Sequence, residues 1–92
     1  MERRPTVFAL HNVQRFYFHL HNDVEAPDPD GVELADLEAA RHHALRDSRF
    51  TVSETIKETG RLNLSHRIDI EDEDGTVLDT IHFRDAVTIE SR

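Results

Sequence analysis

Two hydrophobic periods run along this chain. In residues 15–21, Phe16, Phe18 and Leu20 fall on one parity and Tyr17, His19 and His21 on the other. That alternation, rich in aromatic residues, predicts a half-buried strand. In residues 36–59, Leu37, Ala40, Ala44, Leu45, Ser48, Val52 and Ile56 recur at three-and-four spacing. Arg41, His42, Arg46, Arg49, Glu54, Lys57 and Glu58 fill the opposite positions, so this segment predicts an amphipathic helix. Asp36 is placed to cap its start, Lys57 lies in its last turn, and Gly60 suits the left-handed residue beyond its end. Such a helix is about 36 Å long. A small sheet cannot cover that length, so the second half is expected to bend or overhang.

Alternation returns at Ile68 and Ile70, and again over residues 76–83, with Asp74-Gly75 between them. Asp-Gly flanked by alternating apolar residues is a strong hairpin signal. A two-residue turn sets Ile68 opposite Ile81 and His66 opposite Phe83. A three-residue loop with a bulge sets Ile70 opposite Leu78 and His66 opposite His82. Both registers stay open. Residues 22–31, with Pro27, Pro29 and Gly31, read as a loop. Residues 1–14 read as an N-terminal extension, flexible or an edge strand, and residues 88–92 as a short tail around a single domain over residues 15–87.

The order strand, helix, strand, strand predicts an α+β fold, β-α-β-β. The expected sheet has three antiparallel strands in the order 1-3-2, with one long helix packed on one face. The expected core is Phe16, Phe18, Leu20, Leu37, Ala44, Leu45, Val52, Ile56, Ile68, Ile70, Ile81 and Phe83. One sheet face stays open. So small a layer is marginal alone, which argues for a homodimer through the open face or an edge.

Composition narrows the function classes. The 92 residues hold no cysteine, so disulfides and thiolate metal sites are excluded. With no apolar run of signal-peptide or membrane length, the chain is expected to be cytoplasmic, with no membrane partner. The net charge is −8, which argues against a direct grip on nucleic acid. The charge is also segregated. Residues 23–38 carry seven acids and no Lys or Arg, and residues 69–92 carry eight acids against two bases. Such blocks are solvated loops, or an acidic face for a basic partner. One version of that face is a phosphate mimic that inhibits a nucleic-acid-binding protein.

Seven histidines invite a metal reading. His19 and His21 share a strand face about 6.8 Å apart, and His82 joins them if the last strand lies beside the first. Three imidazoles there could hold Zn²⁺ or Ni²⁺, although surface histidines on an open sheet are the plainer reading. His66 shares the parity of Ile68 and reads as a buried, hydrogen-bonded histidine. The segments ending at Gly31 and Gly75 echo calcium loops but lack the first-position acid and the bidentate glutamate, so both read as turns. No cofactor is implied. No nucleophile has a base beside it, and no glycine-rich loop is present to cradle phosphate, so the chain reads as non-catalytic. The candidate partner-binding surface is Tyr17, His19, His21 and His82, with Asp28, Asp30 and Glu33 on the adjoining loop. The partner is a second copy of the chain, an unidentified protein, or both.

Four motifs occur in order: Arg15-Phe16-Tyr17-Phe18-His19-Leu20, Leu37-Glu38-Ala39-Ala40-Arg41 preceded by Gly31-Val32-Glu33-Leu34, Asp72-Glu73-Asp74-Gly75, and Phe83-Arg84-Asp85-Ala86-Val87. Together they resemble a family of small bacterial proteins built on a domain of unknown function. The resemblance covers residues 15–87. It implies no activity and no catalytic or ligand residues. The chain departs from the family pattern by its residues 1–14, since members typically begin at the Arg-aromatic strand.

Overall fold

The computed structural model describes residues 13–22 and 25–91. The segment around Val7 to Leu10 therefore lies outside the described residues. Strand β1 (Gln14–His21) buries Phe16 and Phe18 and turns Tyr17, His19 and His21 to the other side. The chain then doubles back along β1. Leu20 and Ala26 exchange backbone hydrogen bonds of 3.2 and 3.0 Å. Strand β2 (Val32–Leu34) pairs antiparallel with β1, with Val32 opposite Phe16 and Leu34 opposite Gln14. Gly31 makes the corner with φ of +71°. A Cβ there would lie 2.9 Å from Arg15 Cγ, from the Phe16 carbonyl oxygen and from Tyr17 Cε2. Glycine is therefore required by backbone conformation and by space alike.

Helix α1 (Leu37–Thr59) has the expected ends. The Asp36 carboxylate accepts the Ala39 N–H at 2.9 Å. Gly60 adopts φ of 71°, and its N–H donates to the Ile56 carbonyl at 2.8 Å. The buried positions are Ala40, Ala44, Ser48 and Val52, small residues that let the helix lie close to the sheet. Beyond Val52 the helix outruns its support. Its 23 residues span about 34 Å, whereas the eight residues of β1 span about 27 Å. Ile56 is 43% exposed, and Leu45 is only half-buried. Both are corrections to the expected core, and Ile56 follows from the overhang.

Strands β3 (Arg67–Glu71) and β4 (Val77–His82) form the hairpin. Near the turn the loop is the three-residue kind: Asp72 N–H bonds the Thr76 carbonyl at 3.0 Å, and Gly75 N–H bonds the Asp72 carbonyl at 3.1 Å. The register then shifts by one between Ile70 and Glu71, because Glu71 faces Val77 and Ile70 faces Asp79. Leu78 is the extra residue. From there the other register holds, with Ile68 opposite Ile81. The chain ends its ladder in a helical turn, α2 (Phe83–Ala86), which buries Phe83 and Ala86. The core is Phe16, Phe18, Ala40, Ala44, Val52, Ile68, Ile70 and Phe83, flanked by Leu20, Val32, Leu34, Leu37, Leu64 and Ile81.

The architecture is α+β with an antiparallel sheet, as expected, but the sheet has four strands in the order β2-β1-β3-β4. The three-stranded order 1-3-2 is overturned. β2 reverses the chain before the helix begins, so β2 and β3 both run antiparallel to β1 and hence parallel to one another. The helix crosses over β1, and the first hairpin strand, not the second, lands beside it. This is still a split βαβ arrangement, but its parallel pair is β2 and β3. Burial agrees with that order: Ile68, Asp69 and Ile70 are all buried in β3, whereas Val77 and Leu78 on the outer strand are exposed. No helix among the described residues is long and apolar enough to cross a membrane.

Candidate functional site on the helix-free sheet face

The register gathers the side chains opposite α1 into one polar face. Tyr17, His19 and His21 of β1 stand opposite Glu71, Asp69 and Arg67 of β3. Thr80 and His82 of β4 stand beyond Asp69 and Arg67. Arg15 and Glu33 continue the face at the β2 edge, where Arg15 Nη2 lies 3.1 Å from Glu33 Oε2.

The two strand histidines are each held from two sides. His21 Nδ1 lies 2.9 Å from Glu25 Oε2, and its Nε2 lies 3.0 Å from Asp69 Oδ2. Asp69 in turn accepts from Thr80 Oγ1 at 2.8 Å and from Arg67 Nε at 3.4 Å. His19 Nδ1 accepts the backbone N–H of Asp28 at 3.0 Å. A neutral ring then carries its proton on Nε2, which lies 3.4 Å from Glu71 Oε1. Tyr17 stacks parallel to His19 with ring centres 6.5 Å apart. Although this face has no covering layer among the described residues, its polar groups are already half-buried or buried. His19 and His21 side chains are each 22% exposed, Glu71 21% and Asp69 12%.

Asp28 anchors the loop to this face. Its carboxylate accepts from the backbone N–H groups of Phe18 at 3.2 Å, Gly31 at 3.0 Å and Asp30 at 3.2 Å. Burial pushes the Asp28 carboxyl up, but the backbone donors Gly31, Phe18 and Asp30, together with nearby His19, outweigh it and hold the group below its ordinary value. Asp28 is thus occupied by the fold. Asp30 is exposed, and its carbonyl accepts from Arg15 Nη1 at 2.8 Å.

The alternative in which His82 joins His19 and His21 does not assemble. β3 lies between β1 and β4, so Arg67 separates His21 from His82, a gap of about 10 Å across two strand spacings. Among the described residues no group of three or more His, Asp or Glu side chains is arranged to hold a metal ion. On the helix, His43 packs its ring against Phe18 at 4.5 Å, and its Nε2 lies 3.3 Å from Asp47 Oδ2. His66 meets Phe83 edge-on, with ring centres 5.5 Å apart. Its Nε2 is buried without a hydrogen-bond partner among the described residues, contrary to the expectation of a bonded ring.

Part of the acidic charge converges elsewhere. Glu33 and the hairpin residues Asp72, Glu73 and Asp74 line an open cleft of about 310 Å³, with Val13, Gln14 and Arg15. Asp72 is internally engaged there: its Oδ1 accepts the Asp74 and Thr76 N–H groups at 2.9 and 3.0 Å.

Parity places Tyr17, His19, His21, Arg67, Asp69, Thr80 and His82 on one face, but it does not show that Asp69 and Glu71 stand beside the histidines. The signal was available in the alternation of Arg67, Asp69 and Glu71 around Ile68 and Ile70. It could be used only once β3 was known to lie beside β1.

The fold and this face define a small α+β domain with a long helix on one side of the sheet and a pre-ordered polar surface on the other. The chain belongs to the family defined by a domain of unknown function, DUF6894, whose pattern matches residues 15–84. That agrees with the resemblance drawn from the four motifs at the level of an uncharacterised domain family. No curated protein and no solved structure matches the chain.

Proposed function

We propose that this protein is a non-catalytic interaction module that forms a homodimer through the helix-free sheet face. The observation that carries the reading is the half-buried state of His19, His21 and Glu71, with Asp69 buried beside them, on a face without a covering layer among the described residues. Side chains that already hold one another lose little rotamer freedom when a partner arrives, so a surface of this kind is pre-organised for contact. The face also carries both signs of charge in a small area, with Arg15 and Arg67 beside Glu33, Asp69 and Glu71. A two-fold axis through such a face can set cations of one copy against carboxylates of the other, which is what an isologous contact requires. Tyr17 supplies an amphipathic ring at its centre.

Sedimentation equilibrium of the full chain tests this. The wild type is expected at twice the single-chain mass, and Tyr17→Ala with Arg67→Glu at the single-chain mass with an unchanged circular dichroism spectrum. A wild type that stays at the single-chain mass at high protein concentration defeats the proposal.

A further inference from the structure

The outer strand β4 carries a second feature, independent of the open face. The Phe83 N–H bonds the His66 carbonyl at 3.0 Å, and the register continues through Ile68 with Ile81 and Ile70 with Asp79. Past the register shift the ladder groups of β4 therefore belong to Asp79 and Ile81, and the N–H and C=O groups of Thr80 and His82 point outward along an edge that carries no further strand among the described residues. An edge strand with unpaired backbone groups is a template for another strand. β4 contains no proline and no lysine, the residues that commonly blunt such edges.

Instead, one side chain occupies the edge. Asp79 Oδ1 accepts the outward Thr80 N–H at 2.8 Å. Asp79 Oδ2 lies 2.9 Å from Arg41 Nε, so the helix holds the carboxylate in place. The register shift that makes Leu78 an extra residue bends the strand immediately before this point.

We infer that Arg41 and Asp79 form a latch that closes β4 against pairing with a second copy of this chain. The second copy is the strand that fits. Antiparallel pairing about a two-fold axis at Ile81 joins Thr80 of each copy to His82 of the other and sets Ile81 against Ile81, with no like charges opposed. The opposite edge of the sheet offers only three residues, preceded by Pro27, Pro29 and the Gly31 corner. An isologous contact also uses the β4 edge of both copies at once, whereas a head-to-tail pairing of β4 with β2 would leave one edge of each copy open.

The test is the molar mass of the full chain by light scattering over a concentration series. Asp79→Ala and Arg41→Ala are each expected to raise the mass at least twofold above wild type at concentrations where the wild type does not change. Arg41→Ala leaves β4 itself unaltered, so it reads the latch even if Asp79→Ala folds poorly. The third variant adds His82→Pro to Asp79→Ala. His82 already has φ of −85°, close to proline's fixed value, and its N–H faces outward. This substitution is expected to return the mass to that of His82→Pro alone, which is measured as its own reference. If both latch variants keep the wild-type mass, or if His82→Pro fails to reverse the association, the inference is wrong. The Tyr17→Ala with Arg67→Glu variant leaves the latch residues and the outward groups of β4 in place, so failure of the face-to-face reading is distinguishable from failure of this one.

Discussion

The backbone N–H of Asp28 donates to Nδ1 of His19 at 3.0 Å, while the Asp28 carboxylate takes the N–H of Phe18, the residue before that histidine. This reciprocal tie welds the proline-containing loop to β1 and fixes the ring of His19 on the open face. Most of the expected behaviour of the molecule follows from where such ties lie.

Asp28→Ala removes an acceptor for three backbone donors and should cost about 2–3 kcal/mol, with Asp28→Asn costing less because one oxygen remains. The pH dependence has a definite sign. The folded carboxyl titrates below its ordinary value, so its contribution is complete above the unfolded pKa of about 3.9 and is lost as pH falls through the folded value. Urea midpoints measured from pH 6 to pH 3 should fall less steeply for Asp28→Asn than for wild type. Parallel curves for the two proteins are the contrary result.

Gly31→Ala should destabilise by about 2 kcal/mol or more, since it combines a left-handed backbone with a steric clash. The damage should be local. Hydrogen exchange should show faster opening of residues 25–34 and of the β1 amides facing β2, with the β3–β4 hairpin still protected. Uniform loss of protection across the sheet would contradict the local assignment.

Phe18 is buried between the sheet and the His43 ring. Phe18→Ala is expected to cost about 3–5 kcal/mol, a large share of the stability of a domain this size. An unchanged melting temperature would remove Phe18 from the core.

The overhang of α1 gives a paired comparison. Val52→Ala should cost on the order of 1–2 kcal/mol, because Val52 is buried under the helix. Ile56→Ala, one turn later, should cost under about 1 kcal/mol, although the deleted side chain is larger. Chemical denaturation that reversed this ranking would place the end of the helix on the sheet.

Much of the fold was legible because it is local. The helix ends followed from Asp36 and Gly60, whose capping uses backbone groups within four residues. The buried faces of β1 and β3 followed from strict alternation at Phe16, Phe18, Ile68 and Ile70. What the sequence by itself determined was therefore the elements, their faces and the antiparallel hairpin. Strand order needed the tertiary structure. Val32-Glu33-Leu34 is too short to show a period of its own, and it becomes a strand only because Gly31 brings it against Arg15 and Phe16. That single reversal places β3, not β4, beside β1. It thereby gives His19 and His21 their acidic partners and takes His82 away from them. The hairpin register was equally undecidable from sequence, because the loop obeys one pairing and the strands, past the extra residue Leu78, obey the other. In each case the outcome lies in how one strand meets another, which the alternation within a single segment does not encode.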